Sequence, residues 1–106
     1  WILNHKILSL LGLAARSRNL VSGEFAVEKS VKSGHACMVL AANDASENTK
    51  KMYRNMCEYY HVPLYFFSDR SELGHAIGKE FRAAVAVEDQ GFAKAIRGKL
   101  ENSKIE

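Results

Sequence analysis

Six consecutive apolar residues, Cys37-Met38-Val39-Leu40-Ala41-Ala42, form a run too short for a helix and without the alternation of a strand that has one wet face. Such a run is a strand covered on both sides. The stretch 83–87, Ala-Ala-Val-Ala-Val, has the same character. Two strands of this kind call for cover above and below them.

The rest of the chain supplies those helices. Leu3, Ile7, Leu10, Leu11 and Ala14 recur at intervals of three and four, the stripe of an amphipathic helix over residues 2–15. A basic connection, Arg16-Ser17-Arg18-Asn19, leads to a short strand at Leu20-Val21. A second helix is expected over 24–33, with Ser22 as N-cap, Val27 and Val31 facing inward, Glu28 and Lys32 paired one turn apart, and Gly34 ending it. Asn43-Asp44-Ala45-Ser46 offers caps for a third helix whose inward stripe reads Met52, Tyr53, Met56, Tyr59, Tyr60. A strand over 62–67 is entered through Pro63, and a short fourth helix carries Leu73, Ala76 and Ile77. The last helix starts near Gln90 and buries Phe92, Ala93, Ile96 and Leu100. Strands alternating with helices place the chain in the α/β class, with a sheet between two helical layers.

At 106 residues, 47% hydrophobic and 25% charged, the chain is expected to fold as one domain spanning 1–106 around one core. A single proline and the lack of any Gly/Ser-rich stretch leave no place for a linker, and no internal repeat is present. The apolar runs are short and broken by charge, so neither a membrane-spanning helix nor a signal peptide is expected, and a cytoplasmic location follows as an expectation. The chain starts at Trp1 rather than Met, and its first residues are given no weight. Cys37 and Cys57 lack C-x-x-C spacing and read as reduced core thiols, while His5, His35, His61 and His75 are scattered. No metal and no cofactor are expected. A net charge of +3 is compatible with a polyanionic partner and decides little alone.

Three stretches carry a resemblance: Ser22-Gly23 with the helix to Lys32-Ser33-Gly34; Val39-Leu40-Ala41-Ala42-Asn43-Asp44-Ala45-Ser46; and Val62-Pro63 leading to Glu72-Leu73-Gly74-His75-Ala76-Ile77-Gly78-Lys79. In order and spacing they resemble the kink-turn-binding ribosomal protein superfamily, which includes the archaeal large-subunit kink-turn-binding ribosomal proteins. Gly12-Leu13-Ala14-x-Arg16, Asp44-Ala45-Ser46-x-Asn48-Thr49 and Gly91-Phe92-Ala93-Lys94 are most similar to its bacterial YlxQ-type branch. The resemblance covers nearly the whole chain. It implies a three-layer α/β/α sandwich with a four-stranded mixed sheet, and RNA held on one edge by two features.

The first implied feature is the start of the second helix, where the family pattern is G-x-N-E-x-x-K. Gly23 and Lys29 fall on the glycine and the lysine, but Phe25 and Ala26 stand where Asn and Glu contact the sheared G·A pairs of the kink. That departure removes hydrogen bonds that read bases rather than phosphates. The second feature is the loop after the fourth helix, Gly78-Lys79-Glu80-Phe81-Arg82, in which Phe81 is placed to stack on an unstacked base and Lys79 and Arg82 to hold phosphates.

Residue chemistry alone supports part of this. A helix N-terminus presents unpaired N–H groups and partial positive charge, and a glycine there leaves them uncluttered. The plain alternative is that Ser22-Gly23 is an ordinary cap and that Lys29 and Lys32 are solvated face residues. Glu24 weighs against phosphate, because an acid in the first turn neutralises the dipole from within. Phe25 is either a partly exposed stacking surface or a lid folded over the core edge. Arg16 and Arg18 are read both as a basic rim beside the site and as charges complementing the end of the first helix.

No Gly-rich phosphate loop, no G-x-S-x-G elbow and no sequence-local nucleophile with its base is present. Asp44 with Ser46 reads as helix capping, and His75 as a surface helix residue. The expected function is therefore non-catalytic binding of structured, kink-turn-like RNA, ribosomal RNA among the candidates, by a monomer with no affinity for membranes or DNA. The rivals are a protein interaction module that kept the fold and lost kink-turn recognition, and the substrate-binding part of an RNA-modifying enzyme. The expected site comprises Arg16, Arg18, Gly23, Glu24, Phe25, Ala26, Lys29, Lys32, Lys79, Phe81 and Arg82.

Overall fold

The computed structural model describes residues 2–105, with side chains over 4–102. Helices α1 (Ile2–Arg16), α2 (Glu24–Lys32), α3 (Glu47–Tyr59), α4 (Arg70–Ala76) and α5 (Gln90–Ile105) alternate with strands β1 (Leu20–Ser22), β2 (Met38–Ala41), β3 (Leu64–Phe66) and β4 (Ala84–Val87). The four strands form one mixed sheet in the order β1-β4-β2-β3. β2 pairs with β3 in parallel across the α3 crossover, and β4 is antiparallel to both of its neighbours.

The two unbroken apolar runs become the central strands, and every residue of β2 and β4 is buried. Their side chains alternate between two cores. Met38, Leu40, Val85 and Val87 pack with Ile7, Leu11, Leu73, Ile96 and Leu100 under α1, α4 and α5. Val39, Ala41, Ala84 and Ala86 pack with Val27, Val31, Tyr53, Met56 and Cys57 under α2 and α3. The three-layer α/β/α sandwich with a four-stranded mixed sheet is thus the observed architecture. β1 and β3, the sheet edges, are only half-buried.

Three sequence expectations are corrected. Ser22 does not cap α2: it closes β1 opposite Val85, and the N-cap is Gly23. Tyr59 and Tyr60 do not face inward, being 76% and 38% exposed. The buried stripe of α3 is Tyr53, Met56 and Cys57; Tyr59 falls off its phase, and Tyr60 follows the last helical turn, where His61 turns the chain at φ 57°. Asp44 does not cap α3, because Ser46 accepts from the Thr49 N–H at 3.2 Å. Asp44 instead accepts from the Arg70 N–H at 2.9 Å and pairs with Arg70 Nε at 3.5 Å, tying the β2–α3 loop to the start of α4.

Both cysteines are free thiols. Burial pushes the Cys57 thiol up to about 11, and burial with Asp89 and Glu88 nearby raises Cys37. Neither is poised as a nucleophile. Among the described residues no helix is long and apolar enough to cross a membrane, and no cluster of three or more His, Cys, Asp or Glu side chains suits a metal ion.

Tyr53 is fully buried, and among the described residues its hydroxyl is the buried side-chain oxygen without a hydrogen-bond partner. Burial, with Glu24, Cys57 and Glu28 nearby, raises its pKa. Tyr53→Phe removes a polar group that gains nothing inside, so stability should rise by about 1 kcal/mol. The check is the urea midpoint at constant slope; a loss of stability would show that the hydroxyl is paired in solution.

Candidate nucleic-acid interface

Two helix ends and one loop meet on a single edge of the molecule. α1 stops in a Schellman turn: the Arg18 N–H reaches the Ala15 carbonyl at 3.1 Å and the Asn19 N–H reaches the Ala14 carbonyl at 2.8 Å. This turn puts Arg18 at φ 64°, in the left-handed region, and feeds the chain into β1. α4 ends the same way at Gly78, φ 78°, with the Lys79 N–H bonded to the Gly74 carbonyl at 2.8 Å. A cleft of about 540 Å³ opens between these two ends and β1, lined among others by Arg16, Leu20, Ser22, His75, Gly78 and Lys79.

Gly23 sits at the head of this edge. Its φ of 90° and ψ of 154° suit glycine, and a side chain built there would meet nothing within 4 Å, so the space in front of it is open. Its N–H donates to the Ala84 carbonyl at 3.1 Å, and its carbonyl accepts from Val27 at 2.9 Å. The N-cap Gly23 has no side chain to cap α2, so the first N–H groups of the helix lack an N-cap side-chain partner. Glu24 is exposed in the same turn and reduces the positive potential there.

The 78–82 loop is fastened to this point by one bond. Arg82 Nε donates to Ser22 Oγ at 3.0 Å, and its Nη1 donates to the Phe81 carbonyl at 2.6 Å. These bonds bring Arg82 beside Gly23 and turn the guanidinium back over its own loop. Phe81 projects from that loop at 60% exposure, and Phe25 stands 83% exposed in the first turn of α2. The open question about Phe25 is answered: it is not a lid on the core. Ala26 is half-buried, and Lys29, one turn beyond Phe25, is exposed.

The expected residues do not all share one place. Arg16 and Lys79 line the cleft, Arg82 bonds to Ser22 beside it, and Arg18 is exposed in the turn between α1 and β1. Lys32 departs from this group. It pairs with Glu28 at 3.3 Å and lines a separate groove between α2 and α3. Ser22, Leu20 and His75 belong to the cleft and were not foreseen, because a strand residue and an exposed helix histidine carry no local sign of a site. Gly74 was also missed, although a glycine inside a helix signals close packing. A Cβ there would lie 2.6 Å from the Glu80 carbonyl oxygen, so the loop folds back directly over Gly74.

Residues 5–97 match the Ribosomal protein L7Ae/L30e/S12e/Gadd45 family. The chain belongs to this family. It is 48% identical over 92 residues to RNA-binding protein YlxQ of Bacillus subtilis strain 168, covering 87% of this chain and 92% of that protein. A protein of unknown function from Bacillus halodurans C superposes with a TM-score of 0.87 at 41% identity, covering 91% of this chain and 97% of that one. The 15.5 kD RNA binding protein of Giardia lamblia superposes with a TM-score of 0.79 at 19% identity, covering 99% of this chain and 90% of that one, which shows the shared fold.

Proposed function

We propose that the chain is a non-catalytic RNA-binding protein that holds structured RNA of the kink-turn type on the edge formed by the α1 end, the β1–α2 junction and the α4–β4 loop. The observation that carries this is the Arg82–Ser22 bond, which joins the loop bearing Phe81 to the helix start bearing Gly23. Its relative in Bacillus subtilis, 48% identical, is itself an RNA-binding protein. Arg16, Arg18, Lys29, Lys79 and Arg82 hold phosphates, with Lys32 at the far end of α2. The open N–H groups after Gly23, beside Glu24, face the bases, and Phe25 and Phe81 stack on extruded ones. Ala26 leaves room without reading anything. The protein works as a monomeric single domain in the cytoplasm, on ribosomal or other translation-associated RNA.

The absence of Asn and Glu at 25 and 26 implies weak base reading. A standard kink-turn and one with altered G·A pairs should bind within a few-fold of each other. Phe25→Asn combined with Ala26→Glu should favour the intact kink-turn by about 1–3 kcal/mol, the scale of a good bidentate base contact. Phe25 is exposed and tolerates this change, while the half-buried Ala26 obliges the new carboxylate to point outward along the edge. The check is a titration of both RNAs with both proteins. More than tenfold rejection of the altered RNA by the unmodified chain would mean that other residues read the bases; absence of binding to either RNA would end the RNA reading.

A further inference from the structure

The outer stripe of α3 runs Asn48, Lys51, Met52, Asn55, Tyr59, residues three and four apart that share one side of the helix. With Glu28 and Lys32 of α2 it encloses a groove of about 550 Å³, away from the Gly23 edge but sharing α2 with it. Tyr59 is 76% exposed, and Tyr60 meets it edge to face with ring centroids 4.8 Å apart. That contact occupies at most one face of either ring. A free aromatic face, two lysines and two side-chain amides therefore lie side by side; Glu28, the one acid in the lining, is paired to Lys32, so that Lys51 supplies the net positive charge of the groove.

We propose that this groove takes single-stranded RNA: unpaired nucleotides that continue from the structured RNA held at the Gly23 edge. The inference rests on the RNA reading above. An aromatic face and a cation in one groove suit a single strand, because every base has a π-face to stack and every linkage a phosphate to neutralise. Amides at Asn48 and Asn55 can meet base edges on either side. A protein partner fits less well. Protein interfaces are depleted in lysine and in charge at their centre, whereas here Lys32 and Lys51 line the groove itself and Tyr59 stands up from it instead of forming its floor.

The test compares two RNAs on the full chain: a bare kink-turn stem, and the same stem carrying about eight unpaired pyrimidines at one end or the other, within the span such sites cover. The extension should tighten binding about tenfold, the effect of one stacked base and a phosphate or two. Tyr59→Ala should abolish that gain and leave the bare stem bound as before; Tyr59→Phe should keep the gain, and Lys51→Ala should reduce it. Both positions are exposed, so thermal melting should be unchanged. An extension that adds nothing, or a gain that survives Tyr59→Ala, overturns this proposal while the function proposed above stands. Failure of the bare stem to bind overturns both. Nuclease-resistant capture of a protein that depends on Tyr59, with no gain from the extension, overturns it in favour of a protein-docking groove.

Discussion

Raising monovalent salt from about 50 to about 200 mM should weaken binding of a kink-turn RNA by about 300-fold, the fall expected when four to five phosphate contacts each release a counterion. In the proposed function Arg16, Arg18, Lys29, Lys79 and Arg82 would supply those contacts. If phosphate contacts carry most of the affinity, as that proposal holds, the plot of log affinity against log salt should have a slope near about −4. Lys79→Ala or Lys29→Ala should flatten it by about one unit each and weaken all structured RNAs alike. Lys94 is an exposed lysine of α5, outside the proposed edge. Lys94→Ala should leave the slope unchanged. Phe81→Ala should cost about 1–3 kcal/mol at every salt concentration, because stacking releases no counterion. A wild-type slope shallower than about −2 would mean that fewer than three cations touch the RNA, and the composite edge would be abandoned.

Gly74→Ala should both destabilise the fold and cut RNA affinity. The added Cβ would lie 2.6 Å from the Glu80 carbonyl oxygen, 2.7 Å from its carbonyl carbon and 2.9 Å from the Phe81 nitrogen. All three are backbone atoms. No rotamer change relieves the overlap, so α4 and the 78–82 loop must separate, at a cost of about 1–3 kcal/mol as in other overpacked sites. The same movement carries Phe81 and Arg82 away from Ser22, so binding should drop by more than the loss of folded protein explains. Gly98→Ala is the matched control, because a Cβ there meets nothing within 4 Å and α5 is helical at that point. Removing a glycine from an open helical position should raise stability by about 1 kcal/mol and leave RNA affinity alone. Gly12 makes the intermediate case: its Cβ would lie 2.8 Å from the Ala76 carbonyl oxygen, which presses α1 against α4 without touching the loop. If denaturant titration finds Gly74→Ala as stable as the parent and RNA titration finds it as tight, the fold-back of the loop is not what holds the site together.

The composite edge was legible in part. The glycine at 23, the lysine at 29 and the 78–82 loop could be placed together only through resemblance, since Ser22 and Arg82 lie 60 residues apart and nothing local says that they bond. Residue chemistry left Phe25 undecided between a core lid and an open ring. The α2 faces settled it: Val27, Ser30 and Val31 are the residues turned to the sheet, and Phe25 lies off that arc. The reading of Tyr59 and Tyr60 as core failed for a related reason. Aromatic residues near a helical stripe look like core until the point where the helix stops is known, and α3 stops at Tyr59.

By itself the sequence determined that two fully apolar strands must lie between helical layers, because runs such as 37–42 have no face to give to water. It also determined most helices and some of their ends, since caps and left-handed turns are local chemistry: Ser46 before α3 and Gly34 after α2. Only the tertiary structure decided that β4 lies between β1 and β2. An apolar strand specifies that it is covered but not which strand lies beside it, because backbone hydrogen bonds are the same whatever the partner. That insertion brings β4 beside β1, and so Arg82, just ahead of β4, beside Ser22 and Gly23. The proposed edge is assembled by long-range strand pairing, which joins segments whose own sequences are silent about each other.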